Sequence, residues 1–410
     1  MSLDIRKVFI RIKNLESNIE LDKQELRFNA TLELLNKGII NNDTLIKKIL
    51  EAYENKKANF TFAIPDYKNH KSFSEIISSN PNFKDPHIVI SSDGSQIFPS
   101  HHEISQMSLI NIGIAAIPYY RNDIPLKLFS EPFIYESVEE LYGNNFDTRF
   151  SEEDLISYER TLKECEFAVD IAKIYAQHNI PTVVLLDGTL IHWHIEKFSS
   201  YFIENFIQRF SASLYELKKL NIPLISFISN SRSNDIINML KIFNCPFSEV
   251  DCKKHCGDLN SKKLPCNPIP DYIPILDRNL IFSLFKEKKC EIGSRTITFK
   301  SISKVLDYYP EDLKISFFYI HTGDEVARVE LPQYVLDNPE LLKLVQNTVA
   351  LQCKVGFGYP VTLSEAHLQA VVNKKDRDIF FDVIKKKLLE QKKNTIKLSN
   401  KELKKRITHT

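Results

Sequence analysis

The first 57 residues carry a helical rhythm. In IRIKNLESNIELDKQELRFNATLELL the apolar positions recur at mixed three- and four-residue spacing, and NNDTLIKKILEAYENK opens on Asn/Asp cap chemistry, so residues 1–57 are predicted to be helical. Such helices would pack, dimerise or contact a partner. Residues 58–85 are largely polar, with Asn, Ser and Pro, and read as a linker. The period then shortens. HIVISS, SLINIGIAAIPYY and LKLFSEPFIYE are apolar or alternating runs rich in β-branched and aromatic residues, the pattern of strands. A long helix is predicted from about Ser151 to His178, followed by strand TVVLLD, helix SYFIENFIQRFSASLYELKKL, strand PLISFIS and helix RSNDIINMLKIF. Strand–helix alternation of this kind argues an α/β fold with at least some parallel strands. A cysteine-bearing insertion (245–272) precedes a hairpin, ISFFYIHTGDEVARVEL, and two closing helices, and the chain ends in a basic tail (384–410). A solvated helix with a frayed end accounts for such a tail as well as a nucleic-acid contact does.

Two stretches inside this pattern share one design. HIVISSDGSQIFPSHH (His87 to His102) and TVVLLDGTLIHWH (Thr182 to His194) each run from an apolar strand into Asp, Gly and a small hydroxyl residue. The chain has only ten glycines, and two follow these aspartates. Asp-Gly alone is a common hairpin turn; the repetition asks for more. If the strands lie side by side, Asp93 and Asp187 converge at the carboxyl edge of the sheet, where open α/β folds place their sites. Converging carboxylates hold divalent metal against phosphate, and a glycine after each lets the backbone approach a bound group. A third carboxylate is then expected nearby. On the helix LKECEFAVDIAKIY, Glu164 falls within the apolar arc, whereas Glu166, Asp170 and Lys173 share the polar face. An acid on the buried side needs a partner, either a metal or Arg160. Asp277 follows an apolar run and opens a helix, so it is either an N-cap or a further ligand. His367, among Leu363, Ala366 and Ala370, is either a core histidine or a ligand and proton donor.

Bulk properties narrow the class. The chain has 410 residues, 43% apolar and 26% charged, enough for a large core in two or three lobes. A net charge of +1 neither demands nor excludes nucleic acid. No apolar run approaches the roughly 20 residues of a membrane span, and the N-terminus lacks the apolar block of a signal peptide. A cytoplasmic protein is expected. Four of seven cysteines lie in the insertion, Cys245, Cys252, Cys256 and Cys266, with His255 among them. A structural zinc or iron–sulfur centre is one reading and an unliganded loop the other, because six, three and nine intervening residues match no paired C-x2-C module.

Taken in order, DGSQIFPSHH, RTLKECEFA, VLLDGTLIHW, ISNSRS, LDRNLIFSLF, FFYIHTGDEVARVELPQYV and GYPVTLSEAH resemble the NurA family of nucleases, over roughly Pro86 to Val383. The resemblance implies an RNase H-like mixed sheet flanked by helices over 86–383. It also implies manganese-dependent DNA cleavage, with Mg2+ as the other candidate ion, in end resection with a HerA-type hexameric ATPase translocase. It places Asp93, Glu164, Asp187 and His367 at the family's metal and catalytic positions, with Asp277 at a further acidic one. Tyr359 stands eight residues before His367 and joins the expected DNA contacts. His101 and His102 occupy a position where the family usually has a basic residue. Asn230, Ser231 and Arg232 offer a phosphate seat before a helix, or simple capping by Ser231. A homodimer is expected on a ring motor. Two rivals remain. Actin-like sugar kinases use paired Asp-Gly hairpins, but with an extra residue between Asp and Gly and a Gly-rich adenosine site, both missing from this chain. A catalytically decayed DNA-binding or translocase-loading subunit is the other, against which stand the acids at all three core positions.

Overall fold

The structure, a computed structural model, describes residues 4–16, 21–68, 70–80, 83–98, 107–137 and 150–390. The described helices are α1 (Ile5–Glu16), α2 (Leu21–Ile40), α3 (Asn42–Asn55), α4 (Glu152–Ala176), α5 (Ser200–Lys219), α6 (Asp235–Phe243), α7 (Cys252–Cys256), α8 (Asp277–Glu287), α9 (Gln333–Leu336), α10 (Pro339–Val355), α11 (Val361–Ala370) and α12 (Lys374–Glu390). The strands are β1 (Ile64–Pro65), β2 (Ile76–Ile77), β3 (His87–Ile97), β4 (Ser108–Tyr119), β5 (Lys127–Tyr135), β6 (Thr182–Asp187), β7 (Leu224–Ile228), β8 (Arg295–Thr296), β9 (Phe299–Lys300), β10 (Ile315–His321) and β11 (Val326–Pro332). They divide between two compact units, the first formed by residues 1–75, 231–289 and 299–302 and the second by 76–230, 290–298 and 303–410.

The second unit is built on a mixed, mostly antiparallel sheet with the order β10-β11-β7-β6-β3-β4-β5, to which β8 adds beside β10 and β2 beside β8. Only β3–β6 and β6–β7 are parallel. β5 closes one end of this order, with Pro132 in its middle. Contrary to the reading of Asp93-Gly94 as a strand end, β3 runs on through both to Ile97 and pairs with β4 along its whole length. Its pairing with β6 stops at Ser92, opposite Leu186. Asp93 therefore stands where a continuous strand loses one neighbour. At Asp187-Gly188 the strand does end, and Gly188 takes φ +87°, a left-handed turn with open space around it.

Two helices bracket this point. Residues directly opposite across an antiparallel pair share a face, and successive residues alternate faces. Asp93 lies opposite Gly113 on the face covered by α11, and Gly94 points to the other face, against α4. α4 starts cleanly because the Ser151 hydroxyl accepts the Asp154 N–H, with Glu152, Glu153 and Asp154 in its positive first turn. Its buried stripe (Leu155, Leu162, Cys165, Val169, Ala172) packs into one continuous core with β3, β6 and α5. Glu166 does not face open solvent: with Glu159 it clasps Arg209 of α5 at 2.7–3.0 Å.

The first unit is helical, with Leu35, Leu45, Ile49, Ile236, Leu240 and Leu284 buried among α2, α3, α6 and α8. Residues 58–75, read as the start of a linker, are anchored in it by buried Phe62, Ala63, Ile64 and Phe73, and β1 pairs with β9. Residues 76–85 belong to the second unit, where β2 pairs with β8 and Phe83 is buried. The segment is polar on average, and its few large side chains do the packing. The end of the basic tail, 391–410, lies outside the described residues.

Candidate active site

Asp93 accepts the N–H of Gly94 on Oδ1 (2.8 Å) and bonds Nδ1 of His367 through Oδ2 at 2.7 Å. That second contact depends on how closely α11 lies on the sheet. A Cβ on Gly113 would stand 2.3 Å from both the Ala366 carbonyl oxygen and the Ala370 nitrogen, so only glycine admits the helix backbone there. Ser95 Oγ and Asn111 Nδ2 then donate to the Ala370 carbonyl and hold the end of the helix down. His367 is 65% exposed, which removes the core-histidine reading.

Glu164 arrives from the opposite face. Its Oε1 occupies the room left by the missing side chain of Gly94, 2.4 Å from where a Cβ would be. Here glycine makes space for a protein carboxylate and not, as the sequence suggested, for a bound group. The carboxyl is pushed up to about 8, chiefly by burial; Arg160 pulls it down, and Asp93 and Asp187 push it further up. Arg160 Nε lies 3.2 Å from Glu164 Oε1, and its guanidinium also donates to Gln96. Of the two partners offered for this helix acid, the structure shows Arg160, and the carboxyl also lies within electrostatic reach of both aspartates.

Asp187 ends β6 and accepts the Gly188 N–H at 2.9 Å. Crowding by the protein raises its carboxyl above the usual range; the Gly188 N–H and the Tyr359 hydroxyl pull it back, Asp93 opposes them and His367 assists them. Tyr359 was expected at the DNA. Its hydroxyl lies close enough to Asp187 to favour that carboxylate, and its ring is set edge-on to Phe227 at 5.6 Å. Behind the turn sits an acid that sequence reasoning passed over. Glu330 of β11, 2% exposed, accepts from Thr189 Oγ1 (2.7 Å) and the Leu190 N–H (2.8 Å) and pairs with Arg328 at 2.8 Å. The signal was present in VARVELP, where two opposite charges stand two apart on one strand face.

Other expected residues go elsewhere. Asp277 belongs to the first unit, is fully buried, and gives both oxygens to the Ile236 and Ile237 N–H groups at 3.0 Å. It caps α6, a neighbouring helix, and its assignment as a metal ligand is corrected on that ground. Ser231 and Arg232 also fall in the first unit; Ser231 is buried, its hydroxyl accepts the Ser233 N–H, and α6 starts only at Asp235. His101 and His102 lie outside the described residues.

As the side chains stand, no group of three or more His, Cys, Asp or Glu among the described residues is arranged to hold a metal ion. Asp93 is engaged by His367 and Glu164 by Arg160. The donor set nonetheless suits a hard divalent cation: three carboxylates within electrostatic reach and one imidazole. Glu164 and Asp187 are both raised, first by burial and then by neighbouring aspartates, a cost that a cation would relieve.

A family model described as NurA domain matches residues 87–372 of the chain, a span that includes Asp93, Glu164, Asp187, Tyr359 and His367. No curated protein matches it.

Proposed function

Since the chain belongs to the NurA domain family, which indicates a nuclease of DNA end processing, we propose that it is a metal-dependent deoxyribonuclease whose site is Asp93, Glu164, Asp187 and His367. The observation that carries this reading is the convergence of three carboxylates from β3, α4 and β6 at the step where β3 loses its parallel neighbour. Three antiparallel strands continued by two parallel ones, in the order β5-β4-β3-β6-β7, support an RNase H-like core.

Asp93, Asp187 and Glu164 would hold the ion, and Mn2+ suits a set containing imidazole better than Mg2+ does. When bound, such an ion activates water and stabilises charge on a phosphodiester. The protein's own share is positional. Tyr359 fixes the Asp187 carboxylate through its hydroxyl, and Glu330 holds the turn behind it. Asp93 orients the imidazole of His367, leaving Nε2 on the open side to hold or deliver a proton at the leaving oxygen. Arg160 favours the charged form of Glu164, the form that would hold a cation. A HerA-type translocase partner, a dimer of this chain and a cytoplasmic setting complete the proposal. Residues 1–57 and the basic tail contribute none of the proposed catalytic residues and would make such contacts; no described helix is long and apolar enough to cross a membrane.

The test is incubation of pure protein with end-labelled linear DNA in Mn2+, Mg2+ or EDTA. Cleavage is expected with metal only, and Asp93→Asn and Asp187→Asn should each lose about a hundredfold or more while keeping the parental circular dichroism. A folded variant that cuts at the parental rate refutes the assignment.

A further inference from the structure

The four cysteines of the insertion meet in the first unit. Cys245 follows the end of α6, Cys252 and Cys256 open and close α7, and Cys266 ends the loop; all four line a single cavity of about 20 Å3 with Phe60 and Lys241 on its wall. All are free thiols. They lie within electrostatic reach of one another: burial pushes the Cys266 thiol up to about 11, Lys241 opposes this, and Cys245, Cys252 and Cys256 add to it.

Three features of the surroundings call for a bound cation. The insertion has a small core of its own, since Val250, Cys266 and Tyr272 are its only buried apolar side chains between 245 and 272. A segment this poor in core is ordinarily held by a cross-link. Its frame is already set by polar ties to the rest of the unit: Lys48 Nζ donates to the Cys245 carbonyl (2.6 Å), Asn244 Nδ2 to the Cys266 carbonyl (3.1 Å), and the Cys252 N–H to the Lys57 carbonyl (3.1 Å). The third feature is Lys241. It is only 6% exposed, its ammonium lies 4.9 Å from the centre of the Phe60 ring, and it forms no ion pair among the described residues. Asp251, the one carboxylate on the cavity wall, is committed to Lys57 and to the Lys254 N–H. A cation on this wall favours thiolates over thiols, and four thiolates around one ion would give it a counter-charge.

We propose that Cys245, Cys252, Cys256 and Cys266 bind one zinc ion in a closed centre of four thiolates that staples the insertion to α6, with Lys241 as its counter-charge. Each thiol gives its proton to solvent as a Zn–S bond forms, so four protons leave and the centre carries a net charge of −2. Lys241 offsets half of that charge at the cavity wall. The space between the four thiols, about 20 Å3, is enough for one ion. The sulfurs do not stand at ligand spacing as described, so binding draws them inward by side-chain rotation, to about 2.3 Å from the ion. His255 is not needed as a ligand, because its ring is stacked on Phe247 at 4.1 Å.

The test uses the full-length protein purified without added metal. About one equivalent of zinc per chain is expected, and cobalt exchanged for it should give a thiolate-to-cobalt charge-transfer band, which carboxylate ligands do not produce. Cys252→Ser/Cys256→Ser should lose both signals, and Cys290→Ser, outside the cavity, should keep both. If the double variant does not fold, the cobalt band of the parental protein still decides the matter. No zinc and no charge-transfer band, zinc retained by the folded double variant, or iron with visible absorbance would each overturn the proposal. None of these results bears on the nuclease reading, whose residues belong to the second unit.

Discussion

Gly113→Ala isolates the geometry of the site from its chemistry, because the substitution touches no catalytic group. The added methyl would stand 2.3 Å from the Ala366 carbonyl oxygen and the Ala370 nitrogen and 2.8 Å from the Gln369 carbonyl carbon. All three are backbone atoms of α11, so no side-chain rotation relieves the clash. Restoring ordinary contact requires the helix to withdraw by about 1 Å. His367 rides on that helix, and its 2.7 Å bond to Asp93 would be lost or bent. Overpacking of this kind costs about 1–3 kcal/mol of stability, and a 1 Å misplacement of a reacting group costs about a hundredfold in rate. Gly323→Ala serves as the control: its φ of +123° makes a side chain strained, but the nearest atom would be 3.7 Å away. It should lose about 1 kcal/mol and no activity per folded molecule. The assay is cleavage of end-labelled DNA, normalised to the folded fraction from thermal denaturation. If Gly113→Ala loses rate only in proportion to its unfolded fraction, the close approach of α11 does not set the site, and the reasoning fails.

Glu164 gives a pH signature in the absence of metal. Its carboxyl titrates near 8 in the folded protein, raised mainly by burial, against an ordinary value of 4.5. The folded state therefore holds a proton that the unfolded chain has lost, and this stabilisation, complete below the lower value, disappears as pH rises through the upper one. Melting temperatures measured in EDTA should fall between about pH 5 and about pH 8, and Glu164→Gln should flatten that slope; equal slopes would refute the assignment. Asp277→Asn should behave oppositely to the site variants, losing about 1–3 kcal/mol because one capping acceptor becomes a donor facing an N–H, with cleavage per folded molecule unchanged. A folded Asp277→Asn protein that binds metal less tightly would restore Asp277 to the site.

The sequence showed most where a residue type conflicted with its surroundings. Glu164 stood out as an acid in an apolar helical arc, and the same helical phase brings it against β3. The repeated Asp-Gly stretches located both aspartates, because strand period and a terminal acid are local signals. What the sequence concealed was long-range. Nothing near Asp93 reveals that β3 continues past it, since that depends on β4 remaining paired while β6 stops. Gly113 reads as an ordinary strand glycine until α11, some 250 residues later, is laid on it. Asp277 caps a helix that begins 42 residues before it, a pairing that no cap pattern along the chain can display. Glu330 and Arg328 are buried because β11 lies inside the sheet between β10 and β7, which their local sequence does not display.

Among the described residues β5 is an edge of the sheet, which has a consequence for the protein at high concentration. Most side chains of this nine-residue strand are solvent-exposed, including Leu128 and Ile134, and such an edge is a template on which another extended chain can assemble. Pro132 interrupts it. Lacking an N–H, it divides the edge into runs of five and three residues, Lys127–Glu131 and Phe133–Tyr135, and charged Lys127 and Glu131 flank the longer run. Neither run exceeds an average strand of about five to six residues. Pro132 thus acts as a guard against aggregation.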